Sequence, residues 1–297
     1  MKNRRIIARL DIKGPNLVKG IQFDGNRALG LSEDFAYLYY QEGADEMIFY
    51  DTVASLYRRN NLIEFVTAVS KHIFVPLTVS GGIRNVEDVQ KILRAGADKV
   101  AINTAAIANT SLIKISAEAF GSQCVLAGIE AKRKENGDYE AWVDYGREPT
   151  GVNVVEWAQR VVDFGAGEIL LTSIDREGTG NGYDLELTAR VAQSVPVPVI
   201  ASGGAGRKSH VLDVIHEGRA DAVAVASMFH YYYAKPLQRM YSSTNADGLR
   251  LGAQIDEGNL EFLNARYGGI LERRFDPISV KGLKSFLAGS GIQCRNM

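Results

Sequence analysis

The feature that most constrains how this chain can fold is a repeat that divides it into halves. Ser80-Gly81-Gly82 followed by Gly96-Ala97-Asp98 returns as Ser202-Gly203-Gly204 followed by Arg219-Ala220-Asp221, offset by 122 and 123 residues. An acid that closes a short apolar run recurs in the same way. Asp11 follows Ala8-Arg9-Leu10 and Glu130 follows Ala127-Gly128-Ile129, 119 residues apart, each with a lysine two residues beyond. Asp51 after Ile48-Phe49-Tyr50 is echoed by Asp175 after Thr172-Ser173-Ile174, at an offset of 124. Gly-Gly pairs alone would mean little in a chain with 30 glycines, but four ordered offsets within five residues mark a duplicated unit.

Within each half, short Val/Ile/Leu runs alternate with amphipathic segments. The candidate strands are Arg5–Leu10, Glu46–Tyr50, Pro76–Val79, Lys99–Ile102, Cys124–Ile129, Glu168–Thr172, Pro198–Ala201 and Ala222–Ala226. Their apolar character is continuous rather than alternating, which suits parallel strands covered on both faces. Val86–Arg94 has apolar residues at spacings of three and four and a stop at Gly96, and Asn61–Ser70, Asn153–Phe164 and Lys208–Glu217 behave alike. Two four-unit halves related by a pseudo-twofold axis predict an α/β fold, a (β/α)₈ TIM barrel occupying 1–297 as one domain. A doubly wound open sheet is the structural alternative. Closure is favoured by the polar residues Asp11, Asp51, Ser80, Asn103, Glu130, Ser173, Ser202 and Ser227, which fall at or just after strand C-termini, where barrel sites are built.

Two stretches exceed the repeat. Residues 132–143 read as a hairpin with an Asn136-Gly137 turn. Residues 231–277 read as an elaborated loop at the C-terminal face, between the last strand and a final helix Val280–Ala288.

Composition removes several function classes. With 34 basic against 35 acidic residues there is no electrostatic case for nucleic acid or an anionic membrane as partner. No apolar run has the length of a signal-peptide core or a membrane span, so a cytoplasmic protein is expected. Cys124 and Cys294 follow no metal or disulfide spacing and read as reduced thiols. None of His72, His210, His216 or His230 has ligand spacing with the acids, so neither metal nor cofactor is expected.

The glycine pairs carry the first chemical signal. Gly81-Gly82 and Gly203-Gly204 each join a strand to a helix, where backbone N–H groups and the helix N-terminus favour an anion. With Asn103-Thr104 and Ser227 after the neighbouring strands, they predict two phosphate sites on opposite sides of the mouth, for a ligand phosphorylated at both ends. Asp11 and Glu130 end strands on opposite sides of an eight-strand barrel. There two carboxylates can divide general acid and general base work. A single strand-end acid would more simply bind a lysine or cap a helix; the symmetric pairing favours catalysis.

Several stretches resemble the cyclase subunit of imidazole glycerol phosphate synthase over nearly the whole chain. They include Arg5-Ile6-Ile7-Ala8, Leu10-Asp11, Lys19-Gly20, Asp98-Lys99-Val100 and Ile102-Asn103-Thr104-Ala105-Ala106. Phe120–Gln123, Gly165–Thr179 and Ile200–Gly206 extend the match. The resemblance implies a barrel that takes ammonia from a glutaminase subunit docked at its N-terminal face. The ammonia passes through the interior to a doubly phosphorylated aminoimidazole carboxamide ribonucleotide, giving imidazole glycerol phosphate and AICAR. It implies Asp11 as a catalytic acid, Lys19 as a substrate-holding lysine of a mobile loop, and Ser173 and Asp175 within the substrate set. Arg5, Glu46, Lys99 and Glu168 match the family's ring of charges, a gate at the N-terminal mouth, with Asp98 at the partner interface. Ordinary salt bridges stabilising the barrel floor would explain the ring equally.

Four departures stand out: Glu130 where the family has aspartate, Arg9 where it has a small residue, Ser80 where it has a first glycine, and the 231–277 insertion. Together they resemble divergent paralogues found with surface-glycan enzymes, which imply ammonia delivery to a separate sugar amidotransferase making acetamidino groups. A non-catalytic ammonia conduit and a phosphosugar isomerase are the remaining alternatives.

Overall fold

The computed structural model describes residues 3–53, 62–243 and 274–295. The first half runs β1 (Arg5–Lys13), β2 (Asn16–Ile21), β3 (Asp24–Leu31), α1 (Ser32–Gln41), β4 (Glu46–Asp51), α2 (Leu62–Val69), β5 (Leu77–Ser80), α3 (Val86–Arg94), β6 (Lys99–Ile102), α4 (Thr104–Ala108) and α5 (Ser111–Phe120). The second runs β7 (Val125–Arg133), β8 (Tyr139–Val143), β9 (Glu148–Asn153), α6 (Val154–Asp163), β10 (Glu168–Ser173), α7 (Leu185–Ser194), β11 (Val199–Ser202), α8 (Lys208–His216) and β12 (Ala222–Val225). Helices α9 (Ser227–Ser243) and α10 (Val280–Gly289) follow.

Eight parallel strands close on themselves in the order β1-β4-β5-β6-β7-β10-β11-β12, with β12 returning to β1 through Arg5↔Ala222 and Ala8↔Val225. The expected (β/α)₈ barrel is borne out. Every residue of β4 and of β10 is buried, as continuous apolar runs covered on both faces require. One face of each strand packs on the helices. The other fills the lumen with Ile7, Ile48, Ala101, Leu126, Leu170, Ile200, Ala222 and Ala224.

The repeat is finer than halves. Asp45, Asp98 and Asp221 each precede a strand and accept the backbone N–H of the strand before, from Ile6 (2.7 Å), Leu77 (2.8 Å) and Val199 (3.2 Å). The turn residue two positions earlier is left-handed each time: Gly43, Gly96 and Arg219, with φ of 81°, 112° and 58°.

The acids do not end their strands as expected. β1 continues past Asp11 to Lys13 and turns into an antiparallel hairpin with β2, pairing Asp11 with Val18. β7 likewise runs to Arg133 and pairs Glu130 with Trp142 of β8. The 132–143 hairpin with its Asn136-Gly137 turn is present and extends into β9, giving a three-stranded meander. The β2–β3 hairpin is an addition to the sequence-based expectation. Of the loop expected over 231–277, the part up to Ser243 continues α9, and 244–273 lie outside the described residues. Among the described residues no helix is long and apolar enough to cross a membrane.

Candidate active site

At the N-terminal end of the lumen, Arg5, Glu46, Lys99 and Glu168 each begin a strand and point inward. Arg5 bonds Glu46 (2.8 Å) and Glu168, and Lys99 bonds Glu46 and Glu168 at 3.1 Å each. Each cation therefore holds both acids in a closed, alternating ring. Above it lies the apolar layer of the lumen.

Beyond that layer, alternation along β1 brings Arg9 and Asp11 into the lumen after Arg5 and Ile7. Arg9 Nε donates to Asp11 Oδ1 at 2.9 Å, and Nη1 reaches across to Thr172 Oγ1 (3.1 Å) and Ser202 Oγ (2.9 Å). Its guanidinium carbon stands 4.7 Å from the centre of the Tyr50 ring. Lys19, brought back by the β2–β3 hairpin, donates to Asp11 Oδ2 at 2.9 Å and also bonds Glu177. Burial pushes the Asp11 carboxyl up, but Arg9 and then Lys19 outweigh it and hold it down at about 2.

Glu130 is held differently. The Tyr50 hydroxyl donates to Oε1, and the Gly146 N–H donates to Oε2 at 2.7 Å. Burial raises its affinity for a proton, and the hydrogen bonds from Tyr50 and Gly146, then Arg9, only partly offset this.

Two hairpin tips close over these groups. Gln22-Phe23, joining β2 to β3, and Asp144-Tyr145, joining β8 to β9, are consecutive non-glycine residues at φ of 51° to 66°. Phe23 and Tyr145 meet at a ring-centroid distance of 4.3 Å and are 122 residues apart, so the tips obey the same repeat as the glycine turns. Glu177 fastens the first tip, accepting from the Phe23 N–H (3.2 Å) as well as Lys19. At Gly178 (φ 67°) a Cβ would fall 2.3 Å from the Gly20 carbonyl, so only glycine lets the two backbones pack there. Asp11 is consequently fully buried.

Beside the carboxylates a cavity of about 230 Å³ opens at the Gly81-Gly82 turn, lined also by Tyr50, Asn103, Thr104 and Tyr145. A sequence model of the histidine biosynthesis protein family matches residues 5–235. The chain is 58% identical to the imidazole glycerol phosphate synthase subunit HisF of Legionella pneumophila over 207 residues, 70% of this chain and 98% of that relative. The chain belongs to the histidine biosynthesis protein family. The expected resemblance is thereby borne out.

In this family member the two glycine turns are not equivalent. Gly81-Gly82 faces the cavity with Asn103 and Thr104; Asn103 Nδ2 donates to the Trp142 carbonyl (3.2 Å) and Thr104 Oγ1 accepts from the Asp144 N–H (3.1 Å). Gly203-Gly204 is covered by the loop after β10. The Gly182 N–H donates to the Gly204 carbonyl at 2.8 Å, and a Cβ on Gly204 would fall 2.1 Å from the Gly182 carbonyl. Ser173 is buried at the end of β10, and Asp175 just beyond accepts the Arg133 N–H at 2.8 Å. Ser227 starts α9 and is buried, while Asp98 is exposed at the floor.

Sequence reasoning in this family member missed Tyr50, Tyr145, Phe23 and Glu177. Parity could have found Tyr50: in β4 it shares a face with Glu46 and Ile48, just as Arg9 shares one with Arg5 and Ile7. The other three sit on hairpin and loop tips, outside strand parity, although the 122-residue offset of the repeat links Phe23 to Tyr145.

Proposed function

We propose that this chain is an ammonia-dependent cyclase of the imidazole glycerol phosphate synthase type, the role carried by the name of its Legionella relative. The observation that carries the reading is that one closed lumen joins the Arg5–Glu46–Lys99–Glu168 ring at its floor to the buried Asp11 and Glu130 at its mouth. Ammonia from a glutaminase subunit docked at the floor, beside Asp98, would enter by the ring and leave among the carboxylates. Asp11 and Glu130 are the catalytic carboxylates, and Lys19 holds the substrate under the closed hairpin. Gly81, Gly82, Asn103 and Thr104 take one phosphate of a doubly phosphorylated ribonucleotide. Ser173, Asp175, Gly203, Gly204 and Ser227 take the other once the loop after β10 moves aside.

The test is direct: purified protein, ammonium and the ribonucleotide should give imidazole glycerol phosphate and AICAR. No turnover at saturating ammonium sinks this reading. The second reading, delivery of ammonia to a sugar amidotransferase in surface-glycan synthesis, rests on the sequence departures alone, and neither comparison supports it. Capture of a sugar-nucleotide enzyme together with the glutaminase would speak for it, and capture of the glutaminase alone against it.

A further inference from the structure

The two carboxylates at the mouth are held by opposite kinds of partner. Both oxygens of Asp11 are occupied by buried cations, Arg9 at Oδ1 and Lys19 at Oδ2, each at 2.9 Å. Both oxygens of Glu130 are occupied by neutral donors, the Tyr50 hydroxyl and the Gly146 N–H. Arg9 cannot surrender its proton, and its guanidinium is pinned by Thr172, Ser202 and the face of Tyr50. A carboxylate clamped between two cations is a poor place to leave a proton. One bonded only to neutral donors in a buried site is a good one.

Tyr50 also has a position that Glu130 lacks. It lines the cavity beside Gly81, Gly82 and Asn103, whereas Glu130 is bonded to the Tyr50 hydroxyl and does not itself line that cavity. Resting on the reading of this mouth as the reaction site, we propose that Glu130 exchanges the proton with substrate through Tyr50, and that Arg9 is a positioning residue that keeps Asp11 a fixed anion. A proton leaving the substrate passes to the Tyr50 oxygen as the phenolic proton moves to Glu130 Oε1. Tyr50 ends unchanged and Glu130 ends neutral, and the reverse sequence delivers a proton to a leaving group. Asp11, paired with Arg9 and Lys19, stabilises positive charge without changing its own protonation.

The other ionisable groups facing the pair fit this division. His230 of α9, Tyr145 of the second hairpin tip and Glu177 act on Asp11, Lys19 or Arg9, while Arg9 is the charged group acting on Glu130. Burial, reinforced by Lys19, lowers His230 to about 3, so it stays neutral and does not compete for the proton.

Two measurements on the full chain test the proposal. Carboxyl-carbon NMR titration of protein labelled at Asp and Glu, assigned through Asp11→Asn and Glu130→Gln, needs no substrate. The expected result is a Glu130 signal titrating above the ordinary glutamate range and moving in Tyr50→Phe. The Asp11 signal should stay ionised to about pH 2 in the unaltered protein. It should do so in Arg9→Lys as well, and take up its proton at higher pH in Arg9→Met; the spectra themselves report whether each variant is folded. In ammonium-dependent turnover, Tyr50→Phe should lower kcat roughly 100-fold with KM held within about threefold, and Arg9→Met should move the acidic limb of the pH profile upward. An Asp11 signal titrating near neutral pH, or full kcat with an unchanged pH profile in Tyr50→Phe, overturns the proposal. Absence of turnover in the unaltered protein overturns the cyclase reading instead. The titrations then still support or overturn the division between the two carboxylates.

Discussion

The floor and the mouth of this barrel carry charge clusters of opposite design. At the floor, two cations each hold the same two acids, and the Arg5 and Lys99 side chains keep 26% and 19% of their exposure. At the mouth, Arg9, Lys19, Asp11 and Glu177 form a chain in which each contact has no duplicate, and none of the four side chains is more than 4% exposed. Redundant, with part-exposed cations over buried acids that keep 8% and 6% exposure, the floor can lose one cation and leave both acids paired. Linear and dry, the mouth cannot, because removing one member leaves the buried charges unbalanced away from water.

Substitution should make that contrast visible. Arg9→Met is expected to cost about 3 kcal/mol of unfolding free energy at pH 7, because it leaves Asp11 with Lys19 alone. Lys99→Met at the floor should cost about 1 kcal/mol or less, since Arg5 still holds both acids, and added salt should shrink that loss. Urea denaturation of both variants checks the order. Equal losses would mean that the two clusters do not differ in kind.

The pH dependence sharpens the comparison. Asp11 is depressed from 3.8 to about 2, so the stability it supplies is fully present above pH 4 and disappears as pH falls through the folded value. About 2 kcal/mol should be lost over that window in the unaltered protein and should be missing from the pH curve of Asp11→Asn, followed by urea denaturation between pH 5 and pH 2.

The smallest effect is expected in the floor turns. Arg219 takes a left-handed conformation where the equivalent turns before Asp45 and Asp98 use glycine. Arg219→Gly should therefore raise stability by about 0.5 to 1 kcal/mol, seen as a higher midpoint of thermal unfolding. A lower midpoint would show that the Arg219 side chain stabilises the floor by more than its backbone strain costs.

Much of this was legible in the sequence, for identifiable reasons. Strands buried on both faces announce themselves as continuous apolar runs, and duplication repeats their spacing, so the barrel and the opposed acids could be read directly, whereas the floor ring followed only from the family resemblance. The quarter-scale recurrence of Ala-Asp before strands is also legible, since Gly43-Ala44-Asp45 repeats Gly96-Ala97-Asp98 letter for letter, but two copies spaced by half the chain point only to the halves. The β2–β3 hairpin was not legible. Its turn puts Gln22 and Phe23 in the left-handed region without glycine, so the usual Asn-Gly signature is absent. The strand ends at Asp11 and Glu130 were misjudged for a different reason: polar residues after an apolar run look like a terminus when the strand is in fact leaving the barrel. The mouth's hydrogen bonds join residues far apart in the chain, and composition at either end carries no trace of them.

That long reach has a consequence for how the protein is assembled. Arg9 and Lys19 belong to the first half of the chain, while Thr172, Ser202 and Glu177 belong to the second, separated from them by 158 to 193 residues. Phe23 and Tyr145 straddle the same divide. The chain-entropy cost of such distant contacts falls late, when β12 joins β1 and the circle closes. A nascent half-barrel can fold its strands and helices, but it has no clamped aspartate and no covered mouth. The covered mouth is therefore a property of the finished ring alone, and an incompletely folded chain carries no part-built version of it.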